Sequence, residues 1–226
     1  MSSDIFSLKL GLNSCYLIRG KTTIMIDGGM PNKIRVFRRK LRRLYIHPEE
    51  IRLIVLTHSH FDHAGSAKAI SELTGAKIVI HESERSFLEN SEFAMIKGVN
   101  LYGKITLAVF GPFFKRISFP KVKAEIIITE KVYPLYEYGI DGKIFHTPGH
   151  TQGSLSVLLD TGEAFVGCLA HDGLPFRLIP GTPIYAQNTD QIKESWRLLI
   201  DKGAKIIFPG HGNPFPVEII KKQLFS

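Results

Sequence analysis

The sequence carries at positions 57–63 the stretch Thr57-His58-Ser59-His60-Phe61-Asp62-His63, which places three imidazoles and one carboxylate within six positions. The apolar run 51–56 precedes it and is typical of a buried strand, and residues 64–73 follow with a composition that favours a helix. Loops between a strand and a helix are where α/β folds place their chemistry. Because imidazole nitrogen and carboxylate oxygen are ligands of Zn²⁺, the stretch predicts a metal site. In a tight turn, His58 and His60 can converge on one ion while Asp62 and His63 face a second.

Four further segments carry related side chains, and they read Ile24-Met25-Ile26-Asp27-Gly28-Gly29, Phe145-His146-Thr147-Pro148-Gly149-His150-Thr151, Ala164-Phe165-Val166-Gly167-Cys168 and Ile206-Ile207-Phe208-Pro209-Gly210-His211-Gly212. Together with residues 57–63 they resemble, in order and over nearly the whole chain, the metallo-β-lactamase superfamily. Residues 58–63 are similar to its HxHxDH signature, and residues 147–151 to the TPGHT segment that supplies the next histidine ligand. The last segment resembles that of the final histidine ligand. The HxHxDH and TPGHT elements are specific together, whereas Pro-Gly-His alone is a weak signal.

The resemblance implies a fold, a ligand set and a cofactor. The fold is α/β, a four-layer αβ/βα sandwich in which two sheets pack face to face with helices outside, built as a single domain over residues 1–226. In a glyoxalase II-like pattern, the resemblance assigns His58, His60 and His150 to a first metal ion, and Asp62, His63 and His211 to a second. Two zinc ions per chain are expected, with iron or manganese as alternatives.

Cys168 departs from the family's pattern, because the carboxylate that usually bridges the two metals is here a cysteine. A Gly-Cys pair resembles the branch of true β-lactamases that uses a thiolate on the second zinc, but that branch has Arg at the position of His63. As a thiolate, Cys168 would bridge the metals or lean toward the second, and it would favour zinc over hard ions. The alternative is a small buried residue in a site that has lost its bridge. His171 and Asp172 lie just downstream, and either could replace the missing oxygen ligand.

The implied ligand set is that of a metal-dependent hydrolase. Two close divalent ions lower the pKa of a shared water to near neutrality, and the zinc-bound hydroxide attacks the carbonyl carbon of an ester, thioester, lactone or amide. One metal stabilises the developing oxyanion, so no protein nucleophile is needed. Asp62 would be catalytic, orienting the hydroxide or passing a proton to the leaving group. Asp27 is expected to fix a ligand histidine through its other ring nitrogen.

Three other functions stay open on the same fold. Iron-dependent relatives oxidise persulfides or reduce O₂, but the flavin-linked oxygen reducers usually carry Glu at the position of His60 and a fused flavodoxin domain. Nuclease activity is suggested only by a basic helix, and a degenerate metal-binding scaffold only by Cys168. The small-molecule acyl substrate is itself open, since 226 residues would leave no room for the helical substrate-binding domain of glyoxalase II relatives.

The net charge of +8 comes almost entirely from one segment. Seven cations and no acid lie within residues 33–43, and apolar residues recur through the same segment at spacings of three and four. This pattern predicts an amphipathic helix over residues 33–45, with an apolar stripe on the core and cations in solvent. A basic stripe is also the footprint of nucleic-acid contact. Because the apolar stripe already explains the helix, we expect no nucleic-acid partner.

Composition is that of an ordinary globular protein, with 44% hydrophobic and 22% charged residues. No apolar run approaches the roughly 18 residues that span a bilayer, and the N-terminus lacks the pattern of a signal peptide. With only two cysteines, Cys15 and Cys168, a reducing interior is favoured over a disulfide framework. We therefore expect a cytoplasmic location and no membrane span, and the oligomeric state, a homo-oligomer included, stays open.

Residues 83–121 form an aromatic-rich insertion and are the irregular part of the sequence. A helix is predicted over residues 83–97, and after it the spacing of apolar residues fits neither a helix nor a strand. Such insertions build active-site lids and substrate walls; the alternative is that the aromatics cover the core or a dimer partner. A membrane-surface role is disfavoured, because a basic amphipathic helix is absent here. Elsewhere the patterns predict strands at 8–10, 15–18, 22–26, 51–56, 76–80, 124–128, 143–145, 154–159 and 164–166, and helices at 64–73, 188–200 and 214–223.

Overall fold

The computed structural model describes residues 3–114, 116–173 and 180–225. Its strands are β1 (Asp4–Lys9), β2 (Ser14–Arg19), β3 (Thr23–Ile26), β4 (Ile51–Val55), β5 (Lys77–His81), β6 (Lys97–Gly98), β7 (Ile126–Ile128), β8 (Val132–Pro134), β9 (Gly142–His146), β10 (Leu155–Leu159), β11 (Glu163–His171), β12 (Tyr185–Ala186), β13 (Ile206–His211) and β14 (Phe215–Pro216). Its α-helices are α1 (Ile34–Arg43), α2 (Phe61–Ala64), α3 (Ala67–Thr74), α4 (Glu82–Asn90), α5 (Leu101–Phe114), α6 (Thr189–Asp201) and α7 (Glu218–Leu224). Within the described ranges, each helix is too short or too polar to cross a membrane.

The strands form two six-stranded sheets and one short ribbon. The first sheet has the order β1-β2-β3-β4-β5-β7, antiparallel up to β3 and parallel from β3 to β7. The second has the order β14-β13-β11-β10-β9-β8, in which β11 and β13 are parallel and the other pairs antiparallel. Strands β6 and β12 pair as the ribbon.

Three hydrophobic clusters separate four layers of secondary structure. The central cluster lies between the two sheets, with Leu53 of the first sheet and Phe165 of the second among its buried members. A second cluster joins Phe37 of α1 and Ile70 of α3 to the outer face of the first sheet. The third joins Trp196 of α6 to the outer face of the second sheet. The predicted four-layer αβ/βα sandwich is therefore confirmed, since each sheet buries one face on the other sheet and one on helices.

Helix α1 has the amphipathic arrangement that its sequence predicts, although it ends two residues earlier. Phe37 and Leu41 are buried in the core, whereas Arg38, Arg39 and Arg42 are exposed. The cations of this helix thus lie on the face opposite its apolar stripe, as in other surface helices.

Helix α5 is the element that the sequence pattern did not predict. The helix expected over residues 83–97 ends at Asn90, because Ser91 adopts the left-handed conformation with φ 60°. After a short loop, α5 runs for 14 residues with Gly103 as its one buried residue, packed so closely that a Cβ there would collide with the carbonyl oxygen of Ile184. Its outward face exposes Leu101, Tyr102, Ile105, Val109, Phe110 and Phe113. A helix that is apolar on both faces has no 3.6-residue period to detect.

Strand β11 extends five residues beyond its predicted end at residue 166. Its register against β13 shifts on both sides of Gly167, whose φ of 52° marks a bulge. A Cβ at Gly167 would collide with the side chain of Thr57, so glycine lets β11 approach the end of β4. The bulge brings Cys168 and His171 to the end of the sandwich where residues 57–63 lie.

Candidate metal centre

The seven predicted ligands converge at one end of the sandwich. They are His58 and His60 after β4, Asp62 and His63 in α2, His150 after β9, Cys168 within β11 and His211 at the end of β13. Six of them are buried, and Asp62 is partly exposed. Residues separated by up to 153 positions in the sequence thus form one cluster of donor atoms.

The first three histidines point one ring nitrogen each at a common point. His60 Nδ1 lies 3.0 Å from His58 Nε2 and 3.2 Å from His150 Nε2. In a tetrahedral zinc site with Zn–N bonds of about 2.0–2.1 Å, neighbouring nitrogens are about 3.3–3.4 Å apart. Burial and neighbouring imidazoles lower the pKa of His58 and His60, which favours the neutral rings that a metal requires. These three residues fit one face of a metal site.

The second predicted group has similar spacing with an oxygen in it. His211 Nε2 lies 3.4 Å from His63 Nε2 and 3.1 Å from Asp62 Oδ2. The distance from Asp62 Oδ2 to His63 Nε2 is 3.7 Å. A carboxylate and two imidazoles at these separations fit a second divalent ion.

Cys168 lies between the two groups. Its Sγ forms one potential metal-binding cluster with His58 and His150 and another with His63 and His211, with all ligand atoms of each cluster within 4.8 Å of one another. The Sγ is 3.2 Å from His63 Nε2. Burial opposes ionisation of Cys168, but the four histidines around it hold the pKa of its thiol well below the usual value. The side chain therefore lies where a thiolate ligand of either metal would be expected.

The charges around the second group balance each other within the protein. Burial opposes protonation of His63, but Cys168 and Asp27 raise its pKa well above the usual value. Burial also opposes protonation of His211, but Cys168 and Asp62 raise its pKa to about 9. For Asp62, His63 and His211 outweigh burial and hold the pKa of the carboxyl well below its usual range. A divalent cation would compete with protons for these two imidazoles, because a ligand histidine must be neutral.

Each ligand histidine directs its other ring nitrogen at a fixed acceptor. His63 Nδ1–H donates to Asp27 Oδ2 at 2.7 Å, as expected from the sequence, and His58 Nδ1–H donates to Thr57 Oγ1 at 3.0 Å. Backbone carbonyls serve the other three: His60 Nε2–H donates to Ala94 O at 3.0 Å, His150 Nδ1–H to Tyr185 O at 2.9 Å, and His211 Nδ1–H to Leu12 O at 3.4 Å. These contacts fix the tautomer that leaves the inward nitrogen free for a metal.

Two supporting residues were missed by the sequence patterns. Glu84 of α4 is buried, and its Oε2 accepts from the backbone N–H of Ser59 at 2.9 Å and from its hydroxyl at 2.5 Å. Gly210 lies so close to His63 that a Cβ would be 2.6 Å from its Cε1. In the sequence, Glu84 looks like an ordinary surface residue of a helix, since its burial depends entirely on the loop that packs against it.

The two candidate replacement ligands differ in their surroundings. His171 lines the same cavity as the ligand cluster, with its ring 5.1 Å from that of His211, and burial lowers its pKa to about 4. Asp172 is not among the described cavity residues, and its Oδ2 accepts from the backbone N–H of Asn213 at 3.0 Å. His171 is therefore the one that remains near the metal positions.

A cavity of about 140 Å³ opens onto the ligand cluster. Helix α5 lines one side of it with Leu107, Gly111 and Phe114. Its remaining lining consists of Leu12, His60, Phe61, Asp62, Phe93, Met95, Ile96, His150, Cys168, His171, Tyr185 and His211. The insertion that contains α5 thus supplies part of the wall beside the candidate metal centre.

The sequence matches the family described as the metallo-beta-lactamase superfamily over residues 8–211. The chain belongs to the metallo-β-lactamase superfamily. Membership supports a metal-dependent, hydrolase-like function, and the His/Cys groups described above are candidate ligands for a divalent metal.

Two relatives in the superfamily are described as probable metallo-hydrolases. The chain is 29% identical to the probable metallo-hydrolase MJ0888 of Methanocaldococcus jannaschii, over 95% of this chain and 92% of that protein. It is 26% identical to the probable metallo-hydrolase YflN of Bacillus subtilis, over 89% of this chain and 79% of that protein.

Solved structures share the fold at lower identity. The B3 metallo-beta-lactamase BLEG-1 matches with a TM-score of 0.70 and 21% identity, over 96% of this chain and 95% of that one. The archaeal superfamily protein ST1585 of Sulfolobus tokodaii matches with a TM-score of 0.67 and 21% identity, over 100% of this chain and 86% of that one. TTHA1623, solved in a di-iron-bound form, matches with a TM-score of 0.67 and 19% identity, over 95% of this chain and 96% of that one.

Proposed function

We propose that this protein is a dinuclear zinc hydrolase that cleaves an ester, thioester, lactone or amide. The observation that carries the proposal is the pair of donor groups, His58, His60 and His150 on one side and Asp62, His63 and His211 on the other, with Cys168 between them. Two divalent ions held there would supply an activated water and a positive charge for the oxyanion.

The protein's own residues would position that chemistry. Asp27 and Thr57 hold His63 and His58 in the tautomer that leaves Nε2 free. Asp62 is the one ligand with partial access to the cavity solvent, so its second oxygen is the candidate for orienting water or passing a proton to the leaving group. No side chain of the protein has to act as the nucleophile.

The thiolate is the feature that favours zinc over the alternatives. A soft sulfur donor suits zinc better than hard ions such as manganese. The di-iron form of TTHA1623 is a property of that protein and keeps iron as the competing metal, and with it the iron-dependent oxidoreductase alternative. Free, buried Cys15 and Cys168 agree with the proposed reducing, cytoplasmic location.

Elemental analysis and one variant test the proposal. Protein purified without chelator should contain two zinc ions per chain and should hydrolyse at least one member of a panel of esters, thioesters, lactones and amides. His60→Ala should abolish hydrolysis without unfolding the protein, because the loop is flanked by core-packed β4 and α3. One iron per chain and no zinc would overturn the hydrolase assignment, and full activity of folded His60→Ala would overturn the site assignment. A folded protein that binds metal but hydrolyses no member of the panel would be the degenerate metal-binding scaffold.

A further inference from the structure

The walls of the cavity above the ligand cluster are almost entirely apolar. Among the described lining residues outside the ligand cluster and His171, the side chains are aliphatic, aromatic, a methionine thioether or the hydrogen of glycine, and Tyr185 alone carries a hydroxyl. That hydroxyl is already engaged, since it donates to Thr106 Oγ1 at 2.7 Å. Among the described lining residues there is neither lysine nor arginine, and the one carboxylate is the ligand Asp62. The cavity therefore offers a substrate apolar contact at its walls and metal at its floor.

This lining selects against charged substrates. A carboxylate or phosphate held against these walls, away from the metal centre, would lose its hydration without gaining a cationic partner among the described lining residues. The net positive charge of the protein does not change this, because residues 33–43, which supply most of it, contribute no residue to the described lining. An uncharged acyl group instead gains the hydrophobic contribution of every methylene that it buries.

We infer that the substrate's acyl group is an uncharged, extended hydrocarbon that lies along α5 while its carbonyl reaches the metal centre. This inference rests on the proposed hydrolase function. Leu107, Gly111 and Phe114 recur at spacings of four and three, so one stripe of α5 faces the cavity. At the rim, Leu12 and Met95 are 58% and 63% exposed, which continues the apolar surface outward.

Gly111 sets how far the chain can follow α5. A Cβ at this position would meet only the Leu107 side chain, at 3.7 and 3.9 Å, so open space lies beyond it. A leucine there would project toward Leu107 and the cavity. Because Pro112 follows, the added Cβ disfavours the helical backbone, so thermal unfolding must show that Gly111→Leu stays folded. A larger side chain at position 111 should therefore shorten the acyl chain that fits in the cavity. Ala108, on the solvent face of the same helix, offers a matched control.

A chain-length series on the zinc-loaded enzyme tests the inference. Straight-chain p-nitrophenyl esters and thioesters should show kcat/KM rising about fourfold per added methylene until the cavity is filled. Half-esters that end in a carboxylate should lose that gain. In Gly111→Leu, the ratio of long-chain to acetyl rates should fall about tenfold or more, corresponding to two lost methylenes; in Ala108→Leu the series should match the parent protein. Flat rates across the series, or an unchanged ratio in Gly111→Leu, would overturn the inference.

Binding without catalysis separates this inference from the hydrolase proposal. Calorimetric titration of the zinc-free protein with n-alcohols, from butanol to decanol, should show affinity that rises with chain length and is lost for the longer alcohols in Gly111→Leu. If no ester is cleaved but this dependence appears, the apolar cavity stands and the hydrolase proposal fails. If esters are cleaved but neither rate nor alcohol binding responds to chain length, the acyl assignment is wrong.

Discussion

Asp27→Asn should weaken the second metal site more than the first. Asp27 is buried, and its carboxylate accepts from the Thr57 N–H at 2.9 Å, from the Thr57 hydroxyl at 3.0 Å and from His63 Nδ1–H at 2.7 Å. Asparagine keeps the shape but has one acceptor and one donor end. If its oxygen stays on Thr57, its NH₂ faces His63 Nδ1 and drives the proton to Nε2, the atom that must bind the metal.

The size of the effect follows from the bond that is lost. A hydrogen bond to a charged acceptor contributes about 1.5–3 kcal/mol, which corresponds to roughly 13- to 160-fold in an equilibrium constant. Loss of a carboxylate partner of a ligand histidine typically costs about 10- to 100-fold in metal affinity. We therefore expect the second zinc ion to bind about 10- to 100-fold more weakly in Asp27→Asn at unchanged pH.

Thr57→Val gives the matching perturbation of the other site. Its hydroxyl accepts from His58 Nδ1–H, and a neutral hydrogen bond contributes about 0.5–1.5 kcal/mol, so the first zinc ion should weaken by about 2- to 13-fold. Stepwise zinc binding in competition with a chromophoric chelator measures both steps, and thermal unfolding of the zinc-free proteins checks the fold. Exposed Asp160→Asn is the control. The reasoning fails if Asp27→Asn folds and binds both ions as tightly as the parent, or if its first ion weakens more than its second.

Three further outcomes are expected. Cys168→Asp should keep two metal ions, whereas Cys168→Ala should lose affinity mainly for the second. Cobalt-loaded parent protein should show an intense near-ultraviolet charge-transfer band from the thiolate. Absence of that band in active, cobalt-loaded enzyme would mean that Cys168 is a packing residue and not a ligand. The parent protein should bind nucleic acid no more tightly than the variant in which Arg38, Arg39 and Arg42 of α1 are changed to Glu. Tight filter binding by the parent that falls steeply with salt and is lost in the variant would revive the nuclease alternative. Burial and a neighbouring imidazole lower the pKa of His81 to about 4, so the folded state should lose stability as pH falls from about 6.5 toward 4, where only the unfolded chain takes up this proton. His81→Asn should reduce that loss in urea unfolding, and an equal loss in both proteins would contradict it.

The candidate ligand set could be proposed from the sequence because metal chemistry demands particular side chains at short spacing. His58, His60 and His63 lie within six positions of one another, and the segment Thr147-Pro148-Gly149-His150-Thr151 adds a further histidine. Their convergence needed only strands that end at the same edge of the sandwich. The alternation of apolar strands and helices indicated an α/β architecture, and the resemblance to the metallo-β-lactamase superfamily supplied its four layers.

The parts that were missed depend on contacts distant in sequence. The helix expected over residues 64–73 begins at Ala67 as α3, and a separate short helix, α2, precedes it and carries Asp62 and His63. Glu84 is held by hydrogen bonds from Ser59 and by close packing of Gly153, both distant from it in sequence. The length of β11 depends on the glycine bulge against Thr57. None of these contacts can be inferred from the pattern of neighbouring residues in the sequence.

Three of the five ligand histidines are oriented by backbone carbonyls, those of Leu12, Ala94 and Tyr185. Leu12 and Tyr185 also line the cavity, and Ala94 lies between the lining residues Phe93 and Met95. Every amino acid carries the same carbonyl, so mutations that change these side chains remodel the substrate wall while the acceptor for each histidine is retained. Over evolutionary time, such loops can explore new substrates one side chain at a time without passing through variants that have lost their metal.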